Sequence, residues 1–312
     1  MSCNIILGSG LVSLICRKVL GDDWKIIPVG PSRFYSKGVP PLGDDFIVYD
    51  KKVLEIIDDW GINNKVPLLY KRPYSISGEL MYNNVFASHY FDKIGYEDNP
   101  QTKDYFKNDF TVFPFGNIQL WKYLLRQFID EIQSFYPKHR DAKNIAKIID
   151  NTIVLNNGDV IEYDQMISTV PYPSLCQMLG CRDDNKECFN DTYYYYIHDS
   201  SIDLEGSNQA LVCDPEIPFH KCTKIHGNKY VFEFLEYIED IYNTLTPILG
   251  AKFDIIDAKM VKDGHVTKGI INQNLMNTNK ITCVGSYAQC DPLIDIGSVI
   301  KRVHNLVTNK RL

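Results

Sequence analysis

A short apolar run, Asn4 to Gly8, leads straight into Gly8-Ser9-Gly10-Leu11-Val12-Ser13, and this junction restricts the fold more than any other stretch of the chain. The run reads as a buried strand. From Gly10 to Leu20, Leu11, Val12, Leu14, Ile15, Val19 and Leu20 give the pattern of a buried helix, and Trp24 to Val29 reads as a second strand. Strand, tight turn, helix and strand in about thirty residues form a βαβ unit, which belongs in a parallel sheet with a right-handed crossover. Gly8 permits the sharp exit from the strand. Gly10 lets a pyrophosphate approach the amides that begin with Leu11, where the helix dipole favours negative charge. Ser13 stands where a third glycine is usual and is small enough for close helix–strand packing. One element of a dinucleotide site is absent: no carboxylate ends the second strand, where the chain reads Val29-Gly30-Pro31. Backbone carbonyls or Ser32 are the substitutes at hand, and Arg33 is placed to meet phosphate or adenine.

Composition narrows the function classes. The 312 residues are 45% hydrophobic and 23% charged, with a net charge of −6 and a pI near 5.7. Such a chain has ample material for a buried core and no basic surface for a polyanion, so direct nucleic-acid binding is not expected. The apolar stretch from Ile5 to Leu20 is broken by Gly8, Ser9, Gly10, Ser13, Arg17 and Lys18, so neither a signal peptide nor a membrane span is expected there. The nine cysteines are odd in number and include no Cys-x-x-Cys pair, which suits free thiols in a reducing cytoplasm. His220, Cys222 and His226 alternate as in a plain strand and lack a second close pair, so no metal site is expected.

Further along, Lys52 to Trp60 reads as a helix, and Ile118 to Phe135 as the strongest one, with Leu120, Leu124, Leu125, Phe128, Ile129 and Ile132 on one face. Strands are expected at Ile145–Ile149, Thr152–Leu155, Val160–Tyr163 and Gln165–Val170. Asn156-Asn157-Gly158 supplies a hairpin turn with positive φ angles. A Tyr-rich β region covers Thr192 to Phe234, followed by a helix at Ile238–Leu249, strands at Phe253–Met260 and Lys280–Gly285, and a helix at Ile296–Val307. This pattern predicts a discontinuous nucleotide-binding domain from 1–40, 115–175 and 253–312, with a mixed α+β substrate domain from 41–114 and 176–252.

Three further segments make the reading more particular. Glu162-Tyr163-Asp164-Gln165-Met166-Ile167-Ser168-Thr169-Val170-Pro171, Ile217-Pro218-Phe219-His220-Lys221-Cys222-Thr223, and Ile281 to Gly297 resemble segments of the amine oxidase, protoporphyrinogen oxidase and UDP-galactopyranose mutase superfamily of flavoproteins. The resemblance covers about half of the chain and implies an α/β fold with a Rossmann-type, glutathione reductase-like FAD-binding domain. It implies that Ile145 lies against adenine, that Thr169 approaches the pyrophosphate, and that Gly285 and Ser286 pass the ribityl phosphate. The amides near Asp295, Ile296 and Gly297 would face the C2 carbonyl of the isoalloxazine, where a helix start stabilises the charge of reduced flavin.

The expected activity is that of an FAD-dependent oxidoreductase taking a hydride from an amine or amino-acid-like small molecule. His220, Lys221 and Tyr287 are the candidate catalytic groups. A reduced-flavin sugar-nucleotide mutase is the competing reading; it needs two or more arginines to clamp a diphosphate, and none falls between Ile217 and Thr223. A non-catalytic protein on the same fold remains a third.

Overall fold

The computed structural model describes residues 3–29, 46–62, 66–96, 100, 102, 106–138, 145–182, 185–199, 201–250 and 253–308. The chain divides into two compact units and crosses between them four times. The first comprises Met1–Leu68, Val112–Lys186 and Gly269–Leu312, and the second Leu69–Thr111 and Glu187–Lys268. In chain order, β1 (Cys3–Leu7), α1 (Leu11–Leu20), β2 (Trp24–Ile27) and α2 (Lys51–Asp58) begin the first unit. Next come β3 (Leu68–Lys71), β4 (Tyr74–Ile76), β5 (Glu79–Met81), α3 (Ala87–Ile94) and β6 (Asp109–Val112). The chain returns through α4 (Asn117–Lys138), β7 (Ile145–Ile149), β8 (Thr152–Leu155), β9 (Val160–Ser168) and α5 (Tyr172–Leu179). The second unit is completed by β10 (Phe189–His198), β11 (Gln209–Val212), β12 (Phe219–His226), β13 (Lys229–Phe234), α6 (Ile241–Leu249) and β14 (Asp254–Val266). The last return supplies α7 (Gln273–Thr278), β15 (Ile281–Cys283), α8 (Ser286–Gln289) and α9 (Ile296–Thr308).

In the first unit β1 lies between β2 and β9 and is parallel to both. The C-terminal half of β9 also pairs in parallel with β15, and its N-terminal half carries the antiparallel β8–β7 extension. Strands enclosed in this way read as apolar runs, and Ile5, Ile6 and Leu7 are fully buried. Leu14 and Ile15 of α1, Leu124 of α4 and Val303 of α9 pack over Ile6 and Ile167 in one core. Each such side chain contributes about 1.5–3 kcal/mol by leaving water. The open edge of β2 is closed by Glu131 of α4. One of its oxygens accepts the Ile26 amide at 2.8 Å, and the other accepts Arg17 Nε at 2.9 Å.

The second unit is built on a seven-stranded sheet ordered β14-β10-β13-β12-β11-β4-β5. Among the described residues no helix is long and apolar enough to cross a membrane.

The division differs from the expected one, which also put residues 176–182 in the substrate domain where the structure has them in the first unit. Residues 46–62 belong to the first unit, because Val53, Ile56 and Ile57 of α2 bury into its core. Conversely, β14 runs antiparallel to β10 along most of its length in the second unit, rather than joining the nucleotide-binding unit. Its outward residues Ile256 and Met260 are exposed, as in a strand with one wet face. Three local expectations also change. Pro171 and Pro173 do not merely stop a strand but open α5, because a first helical turn has no use for the missing N–H. The segment expected to hold only one helix contains a second, α3, whose aromatic residues Tyr90 and Phe91 join Ala87 and Ile94 on its buried face. In the Asn156–Asp159 loop only Gly158 takes a positive φ, whereas the preceding two-residue turn, Asp150-Asn151, has positive φ at both positions.

Candidate functional site

The β1–α1 turn is held open by backbone and two hydroxyls. Gly8 has φ of +121° and donates its N–H to Ile27 O at 2.9 Å. A Cβ at Gly8 would collide with Thr169 Oγ1 and stand 3.0 Å from Ser13 Oγ. Thr169, just beyond β9, gives both its backbone N–H and its hydroxyl to Leu7 O, each at 3.0 Å. With that proton committed, Ser13 Oγ donates to Thr169 Oγ1 at 2.6 Å. Ser13 thus fills the position of the third glycine with a hydrogen bond that ties the helix to the neighbouring strand.

Gly10 is the N-cap of α1, extended at φ −78° and ψ −175°, with no side-chain cap and no acid in the first turn. A Cβ there would meet nothing within 4 Å. The first intrahelical bond runs from Leu14 N–H to Gly10 O at 3.2 Å, so the amides of Leu11, Val12 and Ser13 precede it and have no partner among the described residues. By contrast, Asp50, Asp240 and Asp295 each accept a first-turn amide of α2, α6 and α9 through their side chains. First-turn amides without partners among the described residues and a glycine N-cap with open space beside it are what a diphosphate requires.

Gly285 follows β15 with φ of +98°, and its Cβ position lies 3.3 Å from both Cγ atoms of Val12, so the end of β15 meets the start of α1. Ser286 opens the short α8, and Tyr287 in it is 38% exposed. At α9, Asp295 accepts the Ser298 amide at 2.7 Å, Ile296 is the first helical residue, and Gly297 is buried against Val53.

The structure therefore gathers Gly8, Gly10, Leu11, Ser13 and Thr169 at one turn, sets Gly285 and Ser286 beside it through Val12, and puts Asp295, Ile296 and Gly297 at the start of α9. Ile145 opens β7, and the hydrogen-bonded order places β8 and β9 between its strand and β1. Arg33 lies outside the described residues.

His220 and Lys221 lie on β12 of the second unit, at a bulge in its pairing with β13. Both face Glu233, a residue missed by the sequence reading: Lys221 Nζ is 2.8 Å from one carboxylate oxygen and His220 Nε2 is 3.3 Å from the other. Burial alone would raise the Glu233 pKa, but Lys221 and His220 outweigh it and hold the carboxyl well below its ordinary range. Burial also lowers the His220 pKa, against the opposing pull of Glu233, and pushes nearby His265 down to about 4. The His220 Nδ1 is buried without a partner among the described residues. Lys93 of α3 spends its three protons on the carbonyls of Asp214, Ile217 and Phe219, at 2.6, 2.7 and 2.9 Å. An acid in the apolar run Val231-Phe232-Glu233-Phe234 was the available signal for this cluster.

No family model matches the chain, and no curated protein does. Solved structures do match. A reduced UDP-galactopyranose mutase aligns over 99% of this chain and 94% of its own at 12% identity, with a TM-score of 0.65. Cyclohexylamine oxidase from Brevibacterium oxydans aligns over 99% and 98% at 10% identity, with a TM-score of 0.58. HpxO of Klebsiella pneumoniae, complexed with FAD and uric acid, aligns over 98% and 79% at 11% identity, with a TM-score of 0.52. The chain has a mixed α/β fold with parallel and antiparallel sheets that matches the fold of these structures.

Proposed function

We propose that this protein binds FAD in a glutathione reductase-like first unit and is an FAD-dependent oxidoreductase acting on a small molecule. The observation that carries the reading is the β1–α1 turn. The Leu11–Ser13 amides would hold the diphosphate, Gly8 and Gly285 would let the backbone close on it, and the start of α9 would serve the ring. Bound flavin supplies a hydride acceptor; the chain orients the donor, excludes water and places charge.

The donor we favour is an amine or amino-acid-like molecule, a reading supported by the shared fold of cyclohexylamine oxidase. His220, Lys221 and Tyr287 remain the candidate substrate-side groups. Lys221 is engaged by Glu233 at 2.8 Å, whereas His220, whose pKa burial lowers, has an Nδ1 without a partner among the described residues. The mutase reading is disfavoured because the two sequence stretches of the second unit contain one arginine, Arg72, whose guanidinium is buried between Phe106 and Phe110. A diphosphate clamp needs more than that. Nine free thiols suit the cytoplasm.

The test is uptake of FAD by the purified chain, set against Gly10→Ser. Serine suits this extended N-cap position and would leave apo stability unchanged or raise it by about 0.3 kcal/mol, while its hydroxyl takes the amides. The expected result is yellow wild-type protein and a variant at least as stable with roughly tenfold or weaker FAD affinity, a loss of about 1.4 kcal/mol. Wild-type protein that stays colourless when FAD is supplied ends the reading. Anaerobic bleaching by amines supports the oxidase, and turnover of a nucleotide sugar only after dithionite reduction supports the mutase. FAD uptake with neither reaction supports the non-catalytic reading.

A further inference from the structure

The FAD reading assigns two helix starts of the first unit to the cofactor, and they differ by a full charge. α1 begins at Gly10 without side-chain cap or acid. α9 begins at Asp295, whose carboxylate accepts the Ser298 amide at 2.7 Å while its carbonyl accepts the Val299 amide at 3.0 Å. The carboxylate lies over the helix start: a Cβ at Gly297 would be 3.6 Å from Asp295 Oδ2. The first cation of the helix, Lys301, is engaged elsewhere, 2.8 Å from Asp50. A bare helix start carries about half a positive charge. Here a whole negative charge sits on it.

We propose that Asp295 is the residue that sets the flavin's reduction potential, holding it low by placing negative charge at the helix start that faces the N1–C2=O edge. The proposal rests on the FAD reading above. Two-electron reduction puts negative charge on N1 and O2, and a helix start ordinarily stabilises that charge. With Asp295 as the cap, the local field opposes charge on the ring. Oxidised flavin is correspondingly favoured, and nucleophiles that push electrons into the ring bind weakly.

The test uses the full chain loaded with FAD, as wild type, Asp295→Asn, Asp295→Ser and Asp295→Glu. Asn and Ser keep a cap without the charge, so the Ser variant serves if the Asn variant folds poorly. Two quantities are read: the midpoint potential against reference dyes, and the dissociation constant of sulfite. The sulfite sulfur forms a bond to flavin N5 with its lone pair, and the displaced electron pair moves into N1–C2=O, so no further oxidant or reductant is needed. The neutral variants are expected to bind sulfite about tenfold tighter or more, with the potential raised by about 30 mV or more, the two-electron equivalent of tenfold. The Glu variant stays within about twofold of wild type, a shift of roughly 0.4 kcal/mol. Neutral variants that bind FAD with unchanged potential and sulfite affinity overturn the role of Asp295 and leave the FAD reading standing. Wild-type protein that takes up no FAD overturns both.

Discussion

In the first unit the buried polar groups at the β1–α1 turn are neutral, with Ser13 and Thr169 passing hydroxyl protons toward Leu7 O beside amides left for a ligand. In the second unit they are charged: Glu233 takes Lys221 and His220, and Lys93 is surrounded by three carbonyls. Buried neutral hydrogen bonds add modestly and ignore pH, whereas buried charges are costly when one partner is lost and respond to every neighbouring titration. The first arrangement is open toward a ligand. The second is held by ion pairs, so the two units should answer mutation and acid differently.

The largest effect expected is at Glu233. Glu233→Ala leaves Lys221 charged and facing a cavity in a sheet where Glu233 is 6% exposed, and breaking such a pair costs about 3–5 kcal/mol. Urea unfolding followed by probes in each unit should show the second unit failing first, with the FAD affinity of the surviving first unit little changed. A loss under about 1 kcal/mol would place the pair in the class of surface ion pairs and erase the contrast.

Acid should come next. Burial lowers the His265 pKa from 6.5 to about 4, with nearby His220 adding to the shift, and its neutral Nε2–H donates to Ile94 O at 2.9 Å. A depressed histidine binds its proton more readily when unfolded, so its stabilisation is whole above pH 6.5 and declines as pH falls toward about 4. At about 1.4 kcal/mol per unit, this is on the order of 3 kcal/mol. His220 acts in the same direction, and the Glu233 contribution is lost only below the ordinary carboxyl range. Thermal unfolding across pH 4 to 7 should show the decline in the second unit, and His265→Phe should flatten it. An equal slope in the variant would assign the decline to other groups.

How much of this was legible depends on where the determining contacts lie along the chain. The βαβ start could be read because apolar runs, glycines and a helical stripe are local, and the structure has β1, α1 and β2 within a residue or two of expectation. The place of β14 could not, since alternation announces a strand but not its partner, and β10 lies some sixty residues earlier. The glycine turn could be read from local spacing and the other candidate cofactor-side residues from the resemblance, but the cap bond of Asp295 could not, because it depends on the turn three residues on. His220 and Lys221 were singled out without Glu233, which reaches them only through cross-strand register. Glu233 stood out only as a charge in an apolar run.

The smallest effect is expected at Ser13, and it bears most directly on the contrast. Ser13→Ala removes the bond to Thr169 Oγ1 but leaves the Thr169 hydroxyl donating to Leu7 O, so no buried donor is stranded. The loss should be about 1 kcal/mol by urea unfolding, close to the net worth of one hydrogen bond. It should be the same at pH 5 and pH 8, because neither hydroxyl titrates in that interval. Alanine in the first turn adds no bulk near the Leu11–Ser13 amides, so FAD affinity should fall by less than about tenfold, or 1.4 kcal/mol. A loss that grew in acid would mean that the turn is coupled to a titrating group, and the neutral character assigned to the β1–α1 turn would be wrong.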